Sequence, residues 1–263
     1  MMRDPMEPRA TQTRTAIITG ASAGIGAATA RALGKLGWSV ALGARRLPQL
    51  ESVAVEVEAL GGRAFAHPLD VTDPSSVEDF CGAAEVELGP VDTLVSNAGM
   101  SGLTELTETP LDRLRTEVDV NLMGPLYVAR RIIPGLRERG RGDLVFVSSE
   151  TAIRPRPHQV GYSAAKAGLE AAARALAMEL EGTGVRSIIV RIGPTGDTEF
   201  GRAFDPKEIA TALATWKYWG LQRHLHWMES AAVARAIVAV LTLEGVCPAE
   251  IEVMPGGRFD RPS

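Results

Sequence analysis

The chain has 263 residues, 45% of them hydrophobic and 23% charged, with 28 basic against 32 acidic side chains and a net charge of −4. That balance excludes a disordered, collagen-like or disulfide-scaffold protein. No block of like charge is present to suit nucleic acid or a polybasic membrane contact. Two cysteines, Cys81 and Cys247, stand far apart without metal-ligand spacing and are expected as buried free thiols in a reducing compartment. The longest apolar stretch, 236–243, is too short to cross a bilayer. Residues 1–13 are polar, hold two prolines and lack an apolar signal core, so a flexible tail is expected. The whole reads as a soluble, cytoplasmic protein with neither nucleic acid nor membrane as partner.

Short apolar runs then alternate with helix-patterned segments. Strands are predicted at 15–19, 38–44, 64–69, 91–96, 144–148, 185–192 and 250–254. Between them come helices at 26–36, 48–60, 73–88, 109–139, 162–180 and 230–243. Gly37 stops the first, Asp73-Pro74 opens the third, and Pro134 kinks or ends the regular part of the fourth. Strands that are apolar nearly throughout, spaced by helices, imply right-handed crossovers and a parallel sheet covered on both faces. The expectation is an α/β, doubly wound, Rossmann-like sheet of about seven strands forming one domain over 14–263, with a less regular segment at 195–228.

The first strand runs into Thr19-Gly20-Ala21-Ser22-Ala23-Gly24-Ile25-Gly26 and a helix. Glycines there allow a sharp turn and close backbone approach, and a helix N-terminus offers free N–H groups to phosphate, although the turn could also be only a tight connection. The second strand ends at Ala44-Arg45-Arg46. In a dinucleotide fold an acidic residue there takes the ribose hydroxyls, whereas arginine suits a 2′-phosphate; a solvated surface pair is the alternative. Asp70, followed by Val71, either bonds an adenine edge or caps a turn. Tyr162 and Lys166 are four apart at the start of a helix, hence on one face. A nearby ammonium is expected to lower the phenol from its ordinary value near 10.

Taken together, the Thr19–Gly26 turn, Asn97-Ala98-Gly99 after the fourth strand, Asn121, Ser149 and Tyr162/Lys166 stand in an order and spacing that resembles the short-chain dehydrogenase/reductase family over about residues 12–255. Ser149 precedes Tyr162 by 13 residues, as is usual in that family, and is preferred over Ser148. The resemblance implies hydride transfer between NADP(H) and a carbonyl or alcohol. It implies Tyr162 as proton donor and acceptor, Ser149 on the substrate oxygen, Lys166 beside the tyrosine and on the nicotinamide ribose, and Asn121 holding a relay water. Asn97, Ala98 and Gly99 would line the adenosine side or brace the sheet. Ile192 and Pro194 follow the sixth strand, with Thr195 and Thr198 competing for the carboxamide. The family's usual basic residue before the middle glycine is Ala23 here, so NADP rests on Arg45, with Arg46.

The segment 195–228 is expected as a mobile cover over the substrate. It carries Phe200, Phe204, Trp216, Tyr218, Trp219, His224, His226 and Trp227, which suggests a small to medium apolar or aromatic small-molecule substrate or, alternatively, packing against protein. His158 is a further candidate on the substrate border. His224 and His226 are too isolated for a metal site, and no metal is expected. The resemblance also implies a homodimer or homotetramer through the 111–139 and 162–180 helices. A 3-oxoacyl carrier-protein reductase-like enzyme, whose acidic carrier would meet Lys207, Lys217, Arg202 and Arg223, and a non-catalytic NADPH-binding sensor are the alternative functions.

Overall fold

The computed structural model describes residues 14–200, 204–221 and 226–256. The expected tail, the C-terminus beyond 256, and Arg202, Arg223 and His224 lie outside the described residues. Seven strands, β1 (Thr15–Thr19), β2 (Ser39–Ala44), β3 (Arg63–Pro68), β4 (Thr93–Ser96), β5 (Gly142–Ser149), β6 (Val185–Ile192) and β7 (Glu250–Val253), form one sheet in the order β3-β2-β1-β4-β5-β6-β7. Every pairing is parallel. Helices α1 (Gly24–Gly34), α2 (Leu47–Ala59) and α3 (Pro74–Leu88) connect the first four strands. They are followed by α4 (Leu111–Val118), α5 (Gly124–Glu138), α6 (Val160–Glu179), α7 (Pro206–Tyr218) and α8 (Ser230–Thr242).

Alternate strand residues feed two separate cores, as a sheet buried on both faces requires. Ile18, Val145 and Val147 pack with Leu33, Leu50 and Ile237 of α1, α2 and α8. Ile17, Leu144 and Phe146 pack with Phe80, Val128 and Leu169 of α3, α5 and α6. The chain winds outward in one direction from β1 to β3 and in the other from β4 to β7, so β1 and β4 border the point where the winding reverses. In such sheets a crevice opens there, at the carboxyl ends of the strands.

Three expectations need correction. The helix read as continuous over 109–139 is broken by a π-helical turn at Asp119–Met123, which carries the buried Asn121; Pro134 sits inside α5 without ending it. The segment read as irregular contains α7, capped by Asp205, whose side chain accepts from the Lys207 N–H at 2.7 Å. Of the cysteines, Cys81 is buried but Cys247 is exposed. Among the described residues no helix is long and apolar enough to cross a membrane.

Candidate active site

A cavity of about 790 Å³ opens at the carboxyl ends of the strands. It is lined by Gly20, Ser22, Ala23, Gly24, Ile25, Arg45, Arg46, Asp70, Val71, Asn97, Ala98, Gly99, Ser149, Tyr162, Lys166, Ile192, Pro194, Thr195 and Thr198. Of the residues singled out in the sequence for catalysis or cofactor, only Gly26 and Asn121 stand behind this wall.

The turn after β1 is built by its glycines. Gly20 and Gly24 adopt φ of 67° and 54°, the left-handed region that other residues enter at a cost. Gly26 has ordinary backbone angles but no room: a Cβ there would lie 2.4 Å from the Gly20 carbonyl oxygen and 2.7 Å from Asn97 Nδ2. Asn97 ties the turn to β4, donating from Nδ2 to the carbonyls of Thr19 (3.0 Å) and Gly20 (3.3 Å). Thr19 Oγ1 accepts from the N–H groups of Asn97 and Ala98, both at 3.0 Å. The bracing role considered for Asn97 is therefore present in the geometry. The α1 N-terminus has no side-chain cap, which leaves its first N–H groups free for an anion.

At the mouth beside this turn, Arg45 and Arg46 are both exposed. Arg46 donates to Ser22 Oγ at 2.9 Å and pairs with Glu199. Asp70 turns its carboxylate onto Thr72, accepting from its N–H (3.0 Å) and hydroxyl (2.8 Å), which is a local turn. Thr198 packs against Gly24, 3.2 Å from where a Cβ would stand. Thr195 pairs with Met228, closing the base of the 195–228 segment.

On the opposite side, register sets Ser149 at the end of β5 against Ile192 of β6. Ser148 points elsewhere, donating to Glu170 at 2.8 Å, whereas Ser149 is within hydrogen-bonding reach of the Tyr162 phenol. Lys166, one turn below on α6, donates to the Val147 carbonyl at 2.8 Å, and its Nζ lies 5.9 Å from the Tyr162 ring centre. Burial pushes the phenol up to about 12, the Ser149 hydrogen bond pulls it back, and the charge of Glu117 adds to the rise. This reverses the lowering expected from Lys166 and has a direct cause: both groups are removed from water, and burial brings the ammonium itself down to about 8 against the pull of Glu170.

Asn121 donates to the carbonyls of Met100 (2.7 Å) and Glu117 (2.8 Å) and accepts from the Met100 N–H at 3.2 Å. A Cβ on Gly99 would lie 3.0 Å from Asn121 Oδ1 and 3.9 Å from Lys166 Nζ, so the two side chains flank the same glycine.

Three charged residues escaped the sequence reading. Glu117, buried on α4, accepts from the Gly102 N–H at 2.5 Å and from the backbone N–H of Tyr162, with Arg113 facing it. It thereby fastens the start of α6, and burial raises its carboxyl above the ordinary range. The other two, Glu150 and Arg156, form an ion pair in the cavity wall. A carboxylate within a helix has no period or motif to mark it; only Gly161, whose Cβ would meet Glu117 Oε2 at 2.3 Å, hints at the crowding.

The aromatic residues of 195–228 divide. Phe200, Phe204, Trp216 and Trp227 line the cavity, with the Phe200 ring 5.5 Å from Tyr162. Tyr218 and Trp219 instead stack edge to face at 5.4 Å on the outside, and both are exposed. His158 does not line the cavity but bonds Thr215 at 3.1 Å, and Trp216 Nε1 donates to the Pro157 carbonyl at 2.9 Å. Among the described residues no group of His, Cys, Asp or Glu is placed to hold a metal.

Comparison with known proteins adds three findings. A family model described as short chain dehydrogenase matches residues 14–209. Glycine betaine reductase of Emericella nidulans is 38% identical over 243 residues, which are 92% of this chain but 19% of that protein, so the chain spans about a fifth of that relative's length. An alcohol dehydrogenase from the archaeon Thermococcus sibiricus, solved with 5-hydroxy-NADP, superposes with a TM-score of 0.80 at 31% identity, covering 96% of this chain and 100% of that one.

Proposed function

Because the chain belongs to the short chain dehydrogenase family, we propose that it is an NADP(H)-dependent oxidoreductase interconverting a carbonyl and a secondary alcohol on a small to medium substrate. The observation that carries this reading is that Ser149, Tyr162 and Lys166 share one cavity with the glycine turn after β1.

The residues suit a dinucleotide. The turn at Gly20 to Gly26 is packed closely against Asn97 and Ala98 by glycines that leave no room for a Cβ at Gly20 or Gly26, and the uncapped α1 N-terminus supplies N–H groups for phosphate. Arg45 and Arg46 stand at the end of β2, where a 2′-phosphate would be met, and this supports NADP(H) over NAD(H). Asp70, Val71, Asn97, Ala98 and Gly99 would border the adenosine portion, with Ile192, Pro194, Thr195 and Thr198 on the nicotinamide portion. When bound, the nicotinamide gives or takes the hydride.

The chain's own groups handle the proton. Tyr162, kept protonated by burial, donates its phenolic hydrogen to the oxygen that becomes the alcohol, and recovers it in the reverse direction. Ser149 donates a hydrogen bond to the same oxygen as charge grows there. Lys166 holds positive charge below Tyr162 and favours the phenolate that follows proton transfer. Asn121 ties the π-helical turn to Met100, next to the Gly99 that its side chain and Lys166 flank. The apolar wall of Phe200, Phe204 and Trp216 keeps water from the reacting oxygen. Family membership and the exposed Leu111 and Met178 on α4 and α6 support a homo-oligomer, which sedimentation would test.

The reading is tested by following NADPH oxidation with a panel of ketones, using Tyr162→Phe as the control. A loss of roughly 10²–10⁴-fold in kcat/KM is expected, the usual contribution of a positioned general acid. A variant that reduces ketones as fast as the parent defeats the assignment.

A further inference from the structure

At the cavity mouth a carboxylate from the far end of the chain meets one of the two arginines that follow β2. Arg46 Nη2 donates to Ser22 Oγ in the turn after β1 at 2.9 Å and pairs with Glu199, 153 residues further on. All three residues line the cavity. The stretch that carries Glu199 is anchored on both sides of it. Before it, Asp197 accepts from the N–H and the hydroxyl of Ser230 at the start of α8, both at 2.7 Å, and Thr198 packs against Gly24. After it, the Phe200 ring lies 5.5 Å from that of Tyr162. These anchors bring the carboxylate to the arginine. The pair itself is half-exposed, and such pairs contribute little to stability. Its placement counts for more: Glu199 occupies a guanidinium that a 2′-phosphate would also use, and carboxylate and phosphate are both anions.

We propose that Glu199 is a cofactor-specificity residue, which competes with the 2′-phosphate for Arg46 and so tempers the preference for NADP(H), leaving NAD(H) usable. This rests on the reading of the cavity as an NADP(H) site and adds to it a determinant that lies outside β2. NAD(H), without the 2′-phosphate, leaves the Arg46–Glu199 pair in place. NADP(H) either displaces Glu199 from Arg46 or holds its phosphate beside a like charge, and both weaken its binding.

Dissociation constants of NADPH and NADH for the full-length protein, read by the change in their fluorescence, test this without turnover. In Glu199→Gln the ratio of NADPH to NADH affinity is expected to rise roughly three- to thirtyfold, the range for removing one half-exposed charge acting on another at contact distance. Glu199→Lys should raise it further, and Glu199→Asp, which keeps the charge, should fall between the parent and Glu199→Gln. The rise in Glu199→Gln should shrink towards nothing as salt approaches about 1 M, where charges are screened over about 3 Å; a merely structural role would not respond in this way. Calorimetry with adenosine 2′,5′-bisphosphate against 5′-AMP should show the same rise, since the two differ only in the 2′-phosphate. Melting of each variant checks that the fold is kept. An unchanged or lowered ratio in Glu199→Gln overturns the inference, and so does a rise that salt leaves untouched. A parent protein that prefers NADH would refute the NADP(H) reading, while a ratio that still rises in Glu199→Gln would support the role of Glu199. A parent that prefers NADPH with a ratio indifferent to Glu199 would do the reverse.

Discussion

Replacing Gly26 by alanine is the sharpest perturbation of the cofactor turn. The added methyl carbon would stand 2.4 Å from the Gly20 carbonyl oxygen and 2.7 Å from Asn97 Nδ2, whereas ordinary contacts begin about 1 Å further out. Neither neighbour yields easily, since Gly20 is backbone and Asn97 is held by its bonds to the carbonyls of Thr19 and Gly20. Relief requires α1 to move away from β4. Overpacking of this kind costs about 1–3 kcal/mol, and loss of the Asn97–Gly20 bond adds about 0.5–1.5 kcal/mol. At roughly 2–4 °C per kcal/mol for a domain of this size, the melting temperature should fall by about 3–18 °C. NADPH affinity, read by the change in its fluorescence, should weaken at least about tenfold, because the N–H groups of α1 move with the helix. Gly82→Ala is the control: no atom lies within 4 Å of its Cβ position in α3. That change should be neutral or stabilising by up to about 1 kcal/mol. If Gly26→Ala melts and binds NADPH like the parent, the close approach of α1 to the β1 turn is not what shapes the site.

Removing both Arg45 and Arg46 as alanines should lower the ratio of NADPH to NADH affinity by roughly ten- to a hundredfold, and an unchanged ratio would remove the case for NADP(H). Glu117→Ala leaves the N–H groups of Gly102 and Tyr162 unpaired inside the protein, at about 1–3 kcal/mol each. Melting should drop accordingly, with Glu117→Gln, which keeps an acceptor, falling between that variant and the parent. The pH dependence follows from the buried pair. With the phenol protonated up to about 12, ketone reduction should be flat through neutrality, and it should decline above about pH 8 as Lys166 loses its proton. Alcohol oxidation, which needs the phenolate, should instead rise with pH over the same range, by up to about tenfold per unit. Reduction that rises above about pH 8, or oxidation that falls, measured by initial rates in the two directions, would contradict the roles given to Tyr162 and Lys166.

The parts of the site that could be read from sequence are those in which a local segment carries its own geometry. The turn from Gly20 to Gly26 is dictated by backbone freedom over a few residues, and Tyr162 and Lys166 meet because they are one helical turn apart. Alternating apolar strands and helices likewise dictate a parallel sheet covered on both faces, whereas the order β3-β2-β1-β4-β5-β6-β7 is seen only in the structure. The π-helical turn at Asp119–Met123 was hidden because its residues continue the helical pattern around it; what selects it is the Asn121 amide bonding Met100 across the site. The sign of the Tyr162 shift was missed for a related reason. Spacing places a lysine nearby, but only the packed structure shows how far both groups are removed from water. Glu117, Glu150 and Arg156 draw their significance from partners on other elements, and no short window of sequence contains those pairs.

The attachment of α7 bears on how this protein could acquire new substrates. Its carboxyl half is moored to the loop before α6 by the Trp216–Pro157 and Thr215–His158 bonds and by Arg156 lying over Trp216. Ile209, Leu213 and Trp216 project from one stripe of that helix into the cavity. Divergence can therefore proceed by exchanging side chains at Ile209 and Leu213 while the moorings stay in place. The shape of the bound molecule would then drift without disturbing Ser149 or Tyr162, which belong to the sheet and to α6. Such a division lets one half of the protein conserve its chemistry while the other explores.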